Sequence, residues 1–233
     1  PENIAACIVE PIAGSTGTLV PPKGYLTRLR EICDKHGILL IFDEVITGWG
    51  RTGKTFGADS FNVTPDILTM AKAMTNGVMP MGAVASREDI YDTIINASPK
   101  GTVEFFHGYT YSAIPACVAA ALAMQDIFDK EKLIDRASEM SSYFLDGLFS
   151  LKDIDIISDI RGYGMMGGID IYMDERPGKS GYAVFKKLFE AGLSLKATGD
   201  CLIVAPPFIS EKKHIDEIIE KLRIGITTYK KTN

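Results

Sequence analysis

Two acids and a lysine set the chemistry open to this sequence. Asp43 and Glu44 follow the apolar run Ile38-Leu39-Leu40-Ile41-Phe42, and Lys72 follows a second run, Ile67-Leu68-Thr69-Met70-Ala71. Apolar runs of this kind predict strands buried on both faces. A carboxylate at the carboxyl end of such a strand stands where open α/β sheets place their ligands. The second strand delivers its lysine to the same region. A buried carboxylate and a buried amine at neighbouring strand ends are costly unless a group between them repays the lost hydration. A carbonyl compound with a basic ring nitrogen does this. The amine bonds to the carbonyl carbon, and the carboxylate accepts a hydrogen bond from the protonated nitrogen. Pyridoxal 5'-phosphate is such a compound.

A different chemistry is written over the same stretch. Residues 48–55, Gly-Trp-Gly-Arg-Thr-Gly-Lys-Thr, fit G-x-x-x-x-G-K-[ST], the phosphate loop of NTPases. Residues 38–44 also look like a strand that holds magnesium. A phosphate loop, however, opens a helix whose N-terminus cradles the phosphate. Here Gly57 and Pro65 follow too closely for a good helix. The acidic strand also lies directly before the loop rather than apart from it. Specific ATP binding is therefore not expected.

The elements that must position Asp43 and Lys72 follow from the hydrophobic pattern. Residues 4–9 predict a strand ending at Glu10-Pro11, and residues 12–20 a Gly/Ser/Thr loop. Residues 24–36 predict an amphipathic helix with Leu26, Leu29, Ile32 and Cys33 on one face, closed by Gly37. The strand at 38–42 then completes a β-α-β order, the mark of an α/β sheet. Beyond Lys72 come a strand at 81–85, a helix at 87–96, a turn at 98–101 and an aromatic cluster at 105–112. Helices at 116–129 and 131–150 lead away from the sheet. Strands at 154–161, 165–171, 193–196 and 202–205, with helices at 180–191 and 211–230, predict a smaller α+β lobe. Ser210 is the expected N-cap of the last helix. The boundary is placed near residue 126, giving domains 1–125 and 126–233.

Three segments carry a family likeness. They are FDEVITGWGRTGKTFGADSFNVTPDILTMAKAMTNGVMPMGAV at 42–84, HGYTYS at 107–112 and GDCLIVAPPFIS at 199–210. In order and spacing the chain resembles the class III pyridoxal-phosphate aminotransferases over essentially its whole length, nearest their omega-amino acid (β-alanine) to pyruvate branch. The resemblance implies the α/β fold of type I pyridoxal-phosphate transferases: the second half of the large mixed-sheet domain followed by the small C-terminal α+β domain. Members of the family are longer, so the chain reads as their C-terminal half, with the phosphate cup and the aromatic that stacks on the ring lying outside it. Such a half alone is expected to be inactive.

The same resemblance assigns residues. Lys72 carries the cofactor, Asp43 partners its ring nitrogen, Val45 packs on the ring, and Glu10 stands near Asp43. Thr110 reaches across a dimer interface to the cofactor phosphate of the neighbouring subunit, in a homodimer or a dimer of dimers. The family pattern continues Ser-Gly-His-Pro after this threonine, whereas here it is Ser112-Ala113-Ile114-Pro115. The ornithine and γ-aminobutyrate branch has a Glu five residues after the EP glutamate and an Arg just before its φ-A-P-P motif. Those positions are Ser15 and Ile203 here, so both partners of that salt bridge are absent. The omega branch has an Arg in the segment matching 195–200, and this chain has Lys196, the expected grip for an acceptor carboxylate. The implied reaction is a ping-pong transfer of an amino group from a small-molecule donor to a keto acid. A taurine or diamine aminotransferase, an aminomutase, a racemase and an inactive fragment stay open as alternatives.

Composition narrows the partners. The 233 residues are 46% hydrophobic and 24% charged, ordinary for a globular protein. No apolar run approaches ~20 residues and no signal-peptide pattern is present, so a cytoplasmic protein without a membrane partner is expected. The net charge of −5, with no basic cluster beyond the last few residues, argues against nucleic acid. Cys7, Cys33, Cys117 and Cys201 lack C-x-x-C spacing and read as core thiols in a reducing compartment. His36, His107 and His214 are too scattered to predict a metal site.

Overall fold

Two four-stranded sheets carry the chain, and two loops of the first half dock into the second. The computed structural model describes residues 2–102, 105, 109–172 and 176–229; His107 of the aromatic cluster and Lys230 of the last predicted helix lie outside them. The first sheet holds β1 (Ala6–Val9), β2 (Leu39–Asp43), β3 (Ile67–Met70) and β4 (Ala83–Ser86) in that order. Its first three strands are parallel and β4 is antiparallel to β3. Helix α1 (Tyr25–His36) makes the crossover from β1 to β2 and stops at Gly37, whose φ of 64° closes it in the left-handed region. The crossover from β2 to β3 is mostly turns, with only the short α2 (Gly57–Phe61), and α3 (Glu88–Ala97) follows β4.

Among the described residues only one face of this sheet is covered. Leu26 and Cys33 of α1 pack with Leu40, Phe42 and Val63. Leu40 and Phe42 are fully buried, whereas Ile41 and Asp43, one step out of phase, are half-buried. Ile8 and Val84 remain 59% and 68% exposed. The expected burial on both faces is therefore corrected, because no described element covers the face away from α1. Ile32, expected on the inner face of α1, is exposed. The seam runs Leu26, Leu29, Cys33, and Ile32 lies beside it.

Asp66 fastens this sheet from the end opposite Lys72. It is 3% exposed and accepts the Leu40 N–H at 2.6 Å and the guanidinium groups of Arg30 at 2.8 Å and Arg87 at 2.5 Å. One carboxylate thus joins β2, α1 and the start of α3. Burial pushes its pKa up, but the Leu40 N–H and the two arginines outweigh burial and hold it below the usual aspartate value.

The second sheet is wholly antiparallel. It contains β5 (Ile157–Tyr163), β6 (Met166–Ile171), β7 (Lys196–Thr198) and β8 (Cys201–Val204), in the order β5-β6-β8-β7. Helix α4 (Pro115–Lys130) leads into it and runs unbroken through residue 126. Helices α5 (Leu133–Phe149), α6 (Lys179–Glu190) and α7 (Lys212–Thr227) build the larger core with it, around Phe144, Leu148, Ile169, Leu188, Leu202 and Leu222. The strand expected at 193–196 begins only at Lys196. Leu193 and Leu195 mimic strand alternation because both anchor a loop on this core. The N-cap of α7 is Glu211 rather than Ser210; its N–H donates to His214 Nδ1 at 3.0 Å, and Ser210 is buried one residue earlier.

Asp66→Asn is expected to destabilise the intact protein by about 2–4 kcal/mol, somewhat under the usual cost of breaking a buried pair because Arg87 is half in water. Since its folded pKa is depressed, the Asp66 contribution is present above the unfolded aspartate value near ~4 and is lost as pH falls through the folded value. Urea unfolding at neutral and acid pH checks both points. A parent-like midpoint for the Asn variant, or a deficit that does not shrink in acid, contradicts the assignment.

Candidate active site

The parallel pairing of β2 with β3 sets Asp43 opposite Thr69. Asp43 and Lys72 therefore leave the same edge of the sheet, its carboxyl edge, where Glu10 also emerges after Val9, which pairs with Phe42. One oxygen of Asp43 accepts the Val45 N–H at 3.0 Å, and the other has no hydrogen bond among the described residues. The Lys72 amine likewise has no partner among them and is exposed. Its expected burial is corrected: this end of the sheet has no cover among the described residues. Lys72 has φ 45°, which costs a residue with a Cβ about 1–2 kcal/mol. Such strain collects at functional sites, but Trp49, Ala113 and Lys132 share it, so it counts only with the position. A free amine and an open carboxylate oxygen at adjacent strand ends fit the carbonyl and ring nitrogen of pyridoxal 5'-phosphate.

Glu44, one residue on, is treated in the opposite way. It is fully buried and accepts Thr47 Oγ1 at 2.5 Å and the N–H groups of Gly57 and Ala58 at 2.7 Å each. Burial raises its pKa, and the three donors offset part of that rise. Glu44 thus closes the loop back on the strand. This disposes of the phosphate-loop reading. Residues 48–55 are a chain of turns, Lys54 and Thr55 are exposed, and the helix that follows is a five-residue piece starting at Gly57.

The same loop grips the second sheet. Arg51 Nη1 donates to the carbonyls of Met165 and Pro206, both at 2.8 Å. Met165 N–H returns a bond to the Arg51 carbonyl at 2.9 Å. The guanidinium lies 4.5 Å from the centre of the Phe208 ring. No carboxylate bonds it among the described residues, and burial pushes its pKa down to about 10, so it is still a cation at neutral pH. The turn it meets is tight: a Cβ on Gly164 would stand 2.5 Å from the Arg51 carbonyl oxygen. The sequence pattern offered Arg51 only as a letter inside the phosphate-loop motif.

Between the two sheets lies a cavity of about 380 Å³. Lys72, Arg51 and Lys196 line it, and no acid is among the described residues of its wall. Ser15 and Ile203, the two positions where the other branch has its Glu and Arg, line it together. Lys196 pairs directly with Ile203 across β7 and β8. The charge in this chain thus stands one strand over from the position where that branch has its arginine. Glu10 accepts the Gly14 N–H at 2.9 Å and so braces the loop bearing Ser15; no bond joins it to Asp43 among the described residues. Thr110 is not brought to Lys72. It is exposed in a separate hollow with Met81, Gly82 and Cys117. No described helix is long and apolar enough to cross a membrane, and no described cluster of His, Cys, Asp and Glu could hold a metal.

Comparison with known proteins identifies the family. A sequence model of the family Aminotransferase class-III matches residues 1–225. The chain is 49% identical over 224 residues to an omega-aminotransferase of Caulobacter vibrioides, covering 95% of this chain and 50% of that protein. It is 47% identical over 224 residues to an omega-amino acid–pyruvate aminotransferase of Pseudomonas putida, covering 94% and 49%. A solved (S)-enantioselective omega-transaminase from Thermomicrobium roseum superposes with a TM-score of 0.91 at 36% identity, over 97% of this chain and 51% of that one. The chain spans about half the length of the relatives it matches.

Arg51→Met is expected to lower the unfolding free energy by about 2–4 kcal/mol, since two buried carbonyls lose a charged donor. Arg51→Lys should cost less, because an ammonium still donates to one of them. Urea unfolding of the three proteins checks the order, and a Met variant as stable as the parent would show that the clamp contributes nothing.

Proposed function

The chain belongs to the class III aminotransferases, a family that works with pyridoxal 5'-phosphate, and on that premise we propose that it is part of a transaminase moving an amino group from an omega-amino acid or amine, such as β-alanine, to pyruvate. The observation that carries this reading is the cavity between the sheets, where Lys72 and Lys196 share an apolar wall with no acid among its described residues. A pocket of this kind suits a small anionic substrate. The names of the Pseudomonas putida and Pseudomonas aeruginosa relatives pair an omega-amino acid or β-alanine with pyruvate, which supports the acceptor. We read residues 1–125 as part of the cofactor domain and 126–233 as the small domain of a cytoplasmic enzyme.

When bound, the cofactor supplies a conjugated ring that takes up the electron pair left on the substrate carbon as its proton departs. Asp43 holds a proton on the ring nitrogen through its unused oxygen, a fixed negative charge where positive charge is needed. Val45 would pack on the ring. Lys72 holds the cofactor through its amine. Freed from the cofactor by a substrate amine, the Lys72 amine would serve as the base that takes the proton from the substrate carbon and as the acid that gives it back. Lys196 pairs with the carboxylate of pyruvate. As a point charge it grips less firmly than the planar fork of an arginine. Thr110 donates its hydroxyl to the phosphate held by a neighbouring subunit, in a homodimer or a dimer of dimers. Its exposure, and its place in a hollow that Lys72 does not line, support a role outside its own site.

Half-reaction kinetics test the acceptor grip. Lys196→Ala is expected to slow the pyruvate half-reaction roughly ten- to hundred-fold, the worth of one charge-assisted hydrogen bond. Lys196→Arg should speed it, with an aromatic amine donor almost untouched by either. Equal responses to pyruvate and the amine would move the carboxylate site elsewhere.

A mixed dimer tests Lys72 and Thr110 together. One subunit carries Lys72→Ala and the other Thr110→Ala. If Thr110 serves its neighbour, the one remaining lysine receives an intact threonine and the dimer keeps one normal site. Activity no higher than that of the Thr110→Ala homodimer would place the threonine in its own site, and an active Lys72→Ala homodimer would remove Lys72 from the mechanism.

A further inference from the structure

Strand β7 carries Lys196 and is poorly held by its backbone alone. It is three residues long and lies at the edge of its sheet, paired only with β8. At its far end the turn is secured, because Asp200 accepts the N–H groups of Gly178 and Gly181 at 2.6 and 2.8 Å at the start of α6. At the end bearing Lys196 the chain is held by Leu195 on the second core, and among the described residues no side chain there accepts a backbone N–H as Asp200 does. Side chains two apart on a strand share a face. Ala197 packs against the second core, so Lys196 and Thr198 both face the other way. There Thr198 Oγ1 donates to the carbonyl of Ser15 at 2.9 Å. Among the described residues this is the one side-chain hydrogen bond made by β7.

The acceptor of that bond is itself immobilised. Arg161 Nε donates to the Gly17 carbonyl at 2.7 Å, while its other nitrogens engage both oxygens of Asp170 at 2.7 and 2.9 Å. A Cβ on Gly168 would stand 2.5 Å from the Gly17 carbonyl oxygen, so the loop lies directly on β6. Glu10 holds the other end of the loop through Gly14. Thr198 is therefore tied to a fixed point, and that point, Ser15, lies on the same cavity wall as Lys196.

We propose that Thr198 is a positioning residue for acceptor choice: its bond to the Ser15 carbonyl sets where β7 lies, so that Lys196, two residues back on the same face, meets the carboxylate of the keto acid. The proposal rests on the role given to Lys196 above. Thr198 touches neither substrate nor cofactor in this scheme. Without its hydroxyl the edge strand shifts, and Lys196 samples positions from which it no longer pairs.

The test is steady-state and half-reaction kinetics on the holoenzyme. Thr198→Val keeps the β-branched shape and removes the donor. It is expected to raise the KM for pyruvate about five-fold, the worth of one neutral hydrogen bond, while kcat changes less than about two-fold. The KM for an aromatic amine donor should not rise with it, and Thr198→Ser should restore the pyruvate value. In a Lys196→Ala background Thr198→Val should add nothing, because the two residues act through one interaction. A Val effect that persists in full without Lys196, that falls equally on pyruvate and amine, or that is absent from the parent overturns the proposal. Failure of the underlying reading has its own signature: Lys196→Ala leaves the pyruvate half-reaction unchanged, and the role of Thr198 falls with it.

Discussion

A guanidinium with no acid bonded to it among the described residues holds the two sheets of this molecule in one arrangement. Arg51 satisfies itself on backbone carbonyls and on the face of Phe208. A carboxylate partner would have brought a second charge to desolvate. Carbonyls at the start of β6 and just past β8 bring none, since they are already inside and already need donors. The cavity exists because these two strand ends are fixed against the loop that follows Asp43. Trp49, Phe56, Phe128 and Phe208 fill the space around this joint with aromatic contacts, so water has little access to weaken it.

Within that frame one property of strands separates structure from chemistry. Successive side chains alternate faces, and Asp43 and Glu44 continue the alternation of β2. Glu44 falls in phase with Leu40 and Phe42, is wholly desolvated, and spends both oxygens on local donors. Asp43 falls in phase with Ile41 on the open face and keeps one oxygen uncommitted. Two adjacent acids thus end in different surroundings, and neither could take the other's place without a shift of register.

Much of this was legible in the sequence, for a physical reason. The strands around Asp43 and Lys72 announce themselves through apolar runs, and parallel pairing then puts both residues at one edge. The segment 193–196 misled because Leu193 and Leu195 serve a core rather than a ladder. The clamps Arg51, Arg161 and Thr198 left no pattern at all. Their partners are backbone oxygens 114 to 183 residues away, and every residue type offers such an oxygen. The one trace was glycine: Gly164 and Gly168 mark the two places where a loop of the first half lies against the second sheet. The position of Lys196 came from likeness to a family, and only the pairing of β7 with β8 explains why a cation there stands opposite Ile203.

The antiparallel turn of β4 has a consequence for changes of chain length. Because β4 folds back beside β3, residues 71–82 never cross the sheet. They begin beside Lys72 and end at Pro80, Met81 and Gly82, which wall the hollow of Thr110; the Pro80 carbonyl also receives the Cys117 thiol at 3.4 Å. An insertion or deletion in this stretch would displace the lysine and the threonine's surroundings in a single event. The loops at 14–18 and 196–200 are coupled as well, through the bond from Thr198 to the Ser15 carbonyl, so a change of length in either shifts the other. The connection after β3 couples its two ends through the chain itself, with no side-chain bond needed.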